Sequence, residues 1–389
     1  MTEELWDNIK YTTENSMTSI KKIAIMTGGG DCPGLNAVIR AVVNTAIRKY
    51  GLEVVGIRHG YHGLYHGDFI PLTVDDVSEI STLGGTILYS SNKDNLFKYP
   101  RKDESGKILK DADGSIIYDD VSDVAVENLN RAGIDALLIC GGDGTLTSGR
   151  DFSRKGVNVV GIPKTIDNDL ALTDYTFGFD TAISVATEGL DRVRTTGMSH
   201  HRIMVVEIMG RGAGWMALHA GIAGAADVIL IPEIPYDINK VAEKIKADKE
   251  RGKEFSIVAV SEGAKDVSGE RVILKIREDS PDPIRLGGVG AIVADKLEAL
   301  VGSEARATTL GHVQRGGTPT AHDRVLSARY GYAAVELAMA GKFGRMVTLQ
   351  GDEISDVSLE DVIAKHTENV EPDGELVTLA KAMGVCFGD

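Results

Sequence analysis

The segment DALLICGGDGT, Asp135 to Thr145, decides the reading of the fold. Its apolar residues run without alternation from Ala136 to Cys140 and break at Gly141-Gly142. That is the pattern of a short strand buried on both faces and ending in a tight turn. Thr145 follows where a helix would open. The same pattern returns on either side. KIAIMTGGGD (22–31) and NVVGIPKTIDND (158–169) are short apolar runs that also break at Gly or Pro. PGLNAVIRAVVNTAIRKYG (33–51) carries apolar residues at Val38, Val42, Val43, Ala46 and Ile47, with Pro33 at its start and Gly51 at its end, which predicts a helix. VAVENLNRAG (124–133) predicts a second one. Alternating strands and helices predict a doubly wound α/β layer, whose binding crevice lies in the loops after the strand C-termini.

A second α/β unit follows. ISVATEGLDRVRTT (183–196) predicts a long helix, RIMVVEIMG (202–210) a strand, WMALHAGIAGA a helix and DVILIPE a strand. FSIVAVSEGA (255–264) is a strand ending in a polar turn, ATTLGHVQRGG (307–317) closes the series, and DRVLSARYGYAAVELAMAG (323–341) is a strong helix. GKILKDADGSIIYDD (106–120) has Asp-Gly between β-rich arms and predicts an exposed hairpin. The first ~20 residues are polar and predict a loosely held extension, with Met17 a conceivable alternative start. The fold class expected is α/β: two doubly wound domains with the active site in the cleft between them.

Composition narrows the function. Of 389 residues, 45 are glycine and only 10 proline, which points to tight turns and close backbone approach rather than a low-complexity linker. With 42 Lys+Arg against 57 Asp+Glu the chain carries −15, which argues against a general nucleic-acid or anionic-membrane binder. An anionic ligand would therefore need local devices: backbone N–H groups, Mg²⁺ and a few placed arginines. No apolar run is long enough to span a membrane, and the N-terminus lacks the regions of a signal peptide. Cys32, Cys140 and Cys386 have no metal-like spacing and read as reduced thiols of a cytoplasmic protein, Cys140 as a buried one.

Four constellations carry chemistry. Gly141-Gly142-Asp143-Gly144-Thr145 can form an anion nest at a helix N-terminus, with Asp143 holding Mg²⁺. As a bare string it is also what a plain strand-to-helix turn looks like. Thr27-Gly28-Gly29-Gly30-Asp31 repeats the device above a neighbouring strand. In PKTIDND, Asp167 and Asp169 are two apart and point the same way if the segment is extended; one could take a proton from a hydroxyl while the other binds metal or orients the base. Finally Arg202, Met209-Gly210-Arg211, Arg306, His312 and Arg315 sit at the ends of apolar strands, where arginines can grip phosphate bidentately.

TGGGDCPGLNAVIR, GGDGT, PKTIDND, SHHRI, VVEIMGR, SEG and ATTLGHVQRGG with the later Asp323-Arg324 stand in the order of the 6-phosphofructokinases, which the chain resembles from about Lys21 to Arg345. The resemblance implies transfer of a nucleotide γ-phosphoryl to the 1-hydroxyl of fructose 6-phosphate, with ATP as donor and Mg²⁺ as cofactor. It implies Asp167 as general base, flanked by Lys164, Thr165 and Asp169, and Arg211 as the arginine that neutralises the moving phosphoryl group. Asp143 becomes the metal ligand. Gly29, Tyr61, Gly142, Gly144, Thr145 and Ser148 fall at the nucleotide side. Met209, Gly210, Glu262, His312 and Arg315 fall in the sugar-phosphate pocket. Arg202 and Arg306 are implied to reach in from a neighbouring subunit of a dimer or tetramer. The implied domains are a nucleotide-binding unit over 21–178, rejoined by 314–361, and a sugar-phosphate unit over 179–313, rejoined by 362–389, after an extension over 1–20.

The family uses either ATP or pyrophosphate. Pyrophosphate users read GGDD, and the extra carboxylate fills the place of the ATP α-phosphate; this chain has Gly144 and so leaves it free. Lys164 points the other way, since pyrophosphate users carry Lys there and many bacterial ATP enzymes Gly. The combination resembles the longer ATP-dependent branch. Lys93, beside Asn92, is the candidate for the family's basic contact to the transferring phosphate. Arg40 and Arg194 match a bacterial effector site, but Asn44, Asp68 and Glu254 stand where it has basic residues, so no activation by ADP is expected. Alternatives remain: a pyrophosphate-dependent phosphotransferase, a kinase of another sugar phosphate such as sedoheptulose 7-phosphate, the NAD kinase and diacylglycerol kinase group that also uses GGDGT, or a regulatory paralogue without activity.

Overall fold

Strands whose residues are all apolar need a cover on both faces, and the helices between them supply it. The computed structural model describes residues 20–92, 94–269, 271–276, 284–365 and 367–389. The first half of the chain gives strands β1 (Lys22–Thr27), β2 (Glu53–Ile57), β3 (Phe69–Leu72), the short pair β4 (Tyr99–Pro100) and β5 (Tyr118–Asp119), then β6 (Ala136–Gly141) and β7 (Val159–Pro163). The second half gives β8 (Ile203–Ile208), β9 (Val228–Leu230), β10 (Ser256–Ser261), the pair β11 (Ile273–Ile276) and β12 (Ile284–Leu286), β13 (Ala305–Thr309), β14 (Arg345–Gln350) and β15 (Glu353–Ser358).

The first sheet runs β15-β14-β7-β6-β1-β2-β3. Its five inner strands are parallel, while the edge strands β3 and β15 are antiparallel to their neighbours. The chain leaves β1 toward β2 on one side and returns to β6 on the other, so the strand order reverses between β1 and β6, where α/β sheets bind ligands. In register, Thr27 faces Cys140 and Gly141 faces Pro163, which sets the Gly28 turn, the Gly142 turn and Lys164 side by side. The second sheet, β13-β8-β10-β9, is wholly parallel. Ser261 faces Ile208 across it, aligning the Glu262 and Met209 turns.

One apolar cluster joins Ile25 and Cys140 of the first sheet to Val206 and Ile257 of the second, so the two sheets share a core. Late segments close each layer: β14 and β15 extend the first sheet, and Cys386 bridges Val228 of the second.

The helices fall where periodicity and end residues put them, at Leu35–Tyr50, Ser122–Arg131, Trp215–Ala223 and Ala321–Met339. Gly51 closes the first in the left-handed region at φ 67°. The helix expected over 183–196 is longer, Phe179–His200. Its start is held by buried Asp323, which accepts from the Gly178 amide (2.8 Å), the Thr181 amide (2.8 Å) and Thr181 Oγ1 (2.5 Å). A cap contributed from a distant helix is invisible to a local pattern. The expected exposed hairpin over 106–120 forms around Asp111–Gly114, with Lys110 bridging Ile116, and a second turn at Asp103–Gly106, with Lys102 bridging Ile108, precedes it. Asp103 accepts the amides of Ser105 and Lys107, and Asp111 those of Asp113 and Ser115, so each Asp makes its own turn.

Candidate active site

On the first sheet the backbone does most of the building. The Gly28 amide donates to the Cys140 carbonyl at 2.9 Å and the Gly29 amide to the Ser91 carbonyl at 3.0 Å. A Cβ on Gly28 would lie 2.7 Å from Thr145 Cγ2, and one on Gly141 2.3 Å from Thr145 Cβ. Both glycines are required to seat Thr145 between the turns. The helix Asp143–Arg154 starts there with Asp143 and Gly144 exposed at its N-terminus, an anion-binding end. A Cβ added at Gly144 meets nothing among the described residues within 4 Å. Tyr61 is only 4% exposed and donates its hydroxyl to the Thr145 carbonyl at 2.7 Å. Ser148, also buried, bonds the Gly144 carbonyl at 3.3 Å. In this chain these two side chains brace the start of the helix from beneath. Lys93 lies outside the described residues, and Asn92 beside it is exposed.

PKTIDND leaves β7 and turns across the cleft. Lys164, 3% exposed, reaches under the glycine turn and donates to the Gly30 carbonyl at 2.5 Å. Thr165 Oγ1 accepts the Asp167 amide at 3.1 Å. Asn168, in the left-handed region at φ 51°, fixes the turn by accepting the Thr176 amide at 2.8 Å. Asp167 is 8% exposed. Burial pushes its carboxyl above the ordinary range, while Arg315, Arg211 and Lys164 pull it back down. Asp169 is pushed up to about 7 by burial, then by the negative charges of Asp167 and Asp143. Glu262 is likewise raised to about 7 by burial and by Asp167.

On the second sheet side chains do the work. Met209 is half-buried at the end of β8 and Gly210 sits at φ 146°, where a Cβ would come within 2.6 Å of the Ala213 carbonyl oxygen. The turn sends Arg211 to the surface of the cleft at φ 52°, its amide donating to Glu262 Oε1 at 3.1 Å. A Cβ on Gly263 would lie 1.9 Å from the Arg211 carbonyl oxygen, so only glycine follows Glu262. After β13 a short helical turn, Gly311–Gln314, exposes His312 and leads into Arg315, which donates to the Asp31 carbonyl at 3.0 Å. Arg315 therefore crosses from the second sheet to the first.

Arg202 and Arg306 are not brought to this cluster within the chain. They lie at the opposite, N-terminal ends of β8 and β13, where both pair with Glu304, Arg202 Nε at 2.6 Å. β8 puts about 20 Å, at ~3.3 Å per residue, between them and Arg211. Of the residues compared with the bacterial effector set, Arg194 donates to the carbonyls of Gly224 and Ala225, Asp68 pairs with Arg58, and Asn44 bonds the Arg40 carbonyl and Arg48.

Among the described residues no three His, Cys, Asp or Glu side chains form a metal-holding group. Asp143 is exposed at the helix N-terminus, and its negative charge helps raise Asp169; one exposed carboxylate beside an anion-binding helix end is a donor set that Mg²⁺ accepts. No helix among the described residues is long and apolar enough to cross a membrane.

A family model described as phosphofructokinase matches residues 22–338. The chain belongs to the phosphofructokinase family. It is 62% identical over 374 residues to "ATP-dependent 6-phosphofructokinase 2" of Clostridium perfringens, covering 96% of this chain and 100% of that one. It is 48% identical over 349 residues to "Pyrophosphate--fructose 6-phosphate 1-phosphotransferase" of Amycolatopsis methanolica, covering 88% and 95%. The solved phosphofructokinase of Saccharomyces cerevisiae superposes with a TM-score of 0.74 at 32% identity, over 88% of this chain and 45% of that one. A pyrophosphate-dependent phosphofructokinase structure from Marinobacter aquaeolei, at 23% identity and a TM-score of 0.74 over 95% of this chain and 88% of that one, shares the fold.

Within this phosphofructokinase fold the motif reading missed Glu207. Buried in β8, it accepts the amides of Gly288 (3.0 Å) and Gly290 (2.7 Å), while its own carbonyl receives the Leu310 amide at 3.0 Å. It thus links the Met209 turn to the His312 turn. The available signal was a lone carboxylate inside an apolar strand, a residue that burial tolerates only with partners.

Proposed function

We propose that the chain transfers the γ-phosphoryl group of ATP to the 1-hydroxyl of fructose 6-phosphate, giving fructose 1,6-bisphosphate and ADP. The observation that carries the reading is the position of Asp167: a buried carboxylate between a backbone anion nest on one sheet and an arginine-bearing turn on the other. Asp167 takes the hydroxyl proton as that oxygen bonds to the γ-phosphorus, and the bond to the β–γ bridging oxygen breaks with its electrons going to ADP. Arg211 neutralises charge on the moving group. Glu262, His312, Arg315 and Met209 orient the sugar phosphate, and Lys164, by holding Gly30, keeps the glycine turn open to the donor. Asp143 would hold Mg²⁺, which would supply charge neutralisation on the donor phosphates.

Support for ATP as donor comes from Gly144 and the free space above it. Support for pyrophosphate comes from Lys164 and from relatives at 48% identity that bear that name. We favour ATP, because an absent carboxylate leaves room for the α-phosphate whereas Lys164 is committed to a carbonyl. We also assign sequence 21–178 with 314–361 to the nucleotide half and 179–313 with 362–389 to the sugar half. Arg202 and Arg306, at the N-terminal ends of β8 and β13, would serve the site of a neighbouring subunit in a cytoplasmic dimer or tetramer. Asp167→Ser tests the reading: kcat should fall by about 10²–10⁴ with little change in either KM. A variant that keeps near-wild-type kcat removes Asp167 from the mechanism.

A further inference from the structure

The segment Thr367–Val370 belongs to no phosphate or sugar motif, yet it touches both halves of the site. At one end Thr367 pairs with Leu170 in an antiparallel bridge, and the Glu368 amide donates to the Asp169 carbonyl at 2.9 Å. That end lies on the loop carrying Asp167 and Asp169. At the other end the Glu368 carbonyl accepts from Trp215 Nε1 at 3.0 Å, and the Val370 amide donates to Glu233 Oε1 at 3.0 Å. The same Glu233 oxygen takes the Gly214 amide at 2.9 Å. Gly214 and Trp215 close the turn that presents Arg211 and open the helix behind it.

Two details show how tightly this end is built. A Cβ on Gly214 would lie 2.5 Å from Ile231 Cβ and 2.7 Å from Glu233 Oε2, so only glycine lets the carboxylate approach. Oε2 itself is buried without a hydrogen-bond partner among the described residues. A carboxylate that spends one oxygen on two amides and leaves the other unused is a costly arrangement for packing alone. The side chains of Thr367, Glu368 and Asn369 are exposed, so the segment grips through its main chain.

We propose that Thr367–Val370 is a strap that fixes the Asp167 loop against the Arg211 turn, and that Trp215 and Glu233 are positioning residues acting through it. The inference rests on the phosphoryl-transfer reading. A base on one sheet and a charge-stabilising arginine on another must be held to fractions of an ångström for in-line transfer, and misplacement by about 1 Å can cost as much as 10²-fold. The strap supplies that constraint without touching substrate.

The test uses Trp215→Phe, which keeps the ring and loses the donor, with Glu233→Ala and Glu233→Gln. Trp215→Phe and Glu233→Ala should each lower kcat about tenfold while the ATP KM stays within twofold. Glu233→Gln should recover most of the loss, since its amide oxygen still accepts both N–H groups. The double variant should be no more than about twofold slower than the slower single one, because both cut the same strap. In Trp215→Phe, amide exchange should rise in residues 165–170, which the Trp215 hydrogen bond reaches through Glu368. Folded variants with wild-type kcat, or unchanged exchange at 165–170, would overturn the strap. Exchange reads the strap whatever reaction the wild type performs, so failure of the strap and failure of the phosphotransfer reading remain separate results.

Discussion

The two sheets present their C-terminal ends to one cleft but build their halves of it from different materials. On the first, Gly28 and Gly141 clear space for Thr145, and Gly144 leaves the N-terminus of the helix Asp143–Arg154 open. On the second, Arg211, Glu262, His312 and Arg315 reach in as side chains from turns that glycine at 210 and 263 makes tight. A donor with a chain of phosphates suits repeated backbone N–H groups, whereas a sugar phosphate needs directional contacts at several separate points. Truncation should therefore damage the second half, and added bulk the first.

The largest effect is expected on the side-chain half. Arg211→Ala should lower kcat by about 10²–10³, the usual cost of removing a donor aimed at developing charge; a loss under tenfold would put the charge neutralisation elsewhere. Next comes the backbone half, where Gly144→Asp sets a carboxylate against the donor phosphates. At an effective dielectric near 20 that repulsion is about 4 kcal/mol at 4 Å, so kcat/KM for ATP should drop by about 10²-fold or more while the sugar KM holds. An unchanged ATP KM would show that the open space at Gly144 is not where the donor lies. Arg306→Ala probes the far edge of the second sheet. The KM for fructose 6-phosphate should rise about tenfold or more with kcat little altered, the loss of one charge-assisted contact. No change would confine Arg306 to its Glu304 pair.

The smallest effect is in stability. Asp169 and Glu262 titrate near 7 in the folded protein against about 4 unfolded. Between those values the folded state binds more protons than the unfolded chain, so stability falls as pH rises through that window. Asp169→Asn removes one such group. Thermal melts of the unliganded protein should show the variant a few degrees more stable than wild type at pH 8 and equal to it at pH 4, and equal melting temperatures at pH 8 would contradict the raised carboxyl.

The same contrast explains what the sequence revealed. A backbone-built half is written as local strings, so TGGGD and GGDGT could be read from strand pattern and glycine alone. Asp167 was legible as a carboxylate where a buried run ends. The side-chain half is scattered across a hundred residues, and only the resemblance to a family assembled Arg211, Glu262, His312 and Arg315 into one pocket. Tyr61 and Ser148, placed on the nucleotide side by resemblance, brace the helix start through the Thr145 and Gly144 carbonyls, contacts that no motif encodes. The partners of Asp323, Glu207 and Glu233 escaped for a related reason, since each carboxylate accepts amides far away in sequence. The strands β14 and β15 went unread because they lie beyond the motif-bearing segments.

Donor choice by the unaltered protein is the central property of the site. Turnover of fructose 6-phosphate should be measured with ATP and with pyrophosphate, each with Mg²⁺, scoring fructose 1,6-bisphosphate. Efficient turnover with ATP and at least about 10²-fold less with pyrophosphate is the predicted result. Turnover with pyrophosphate but not with ATP would contradict it.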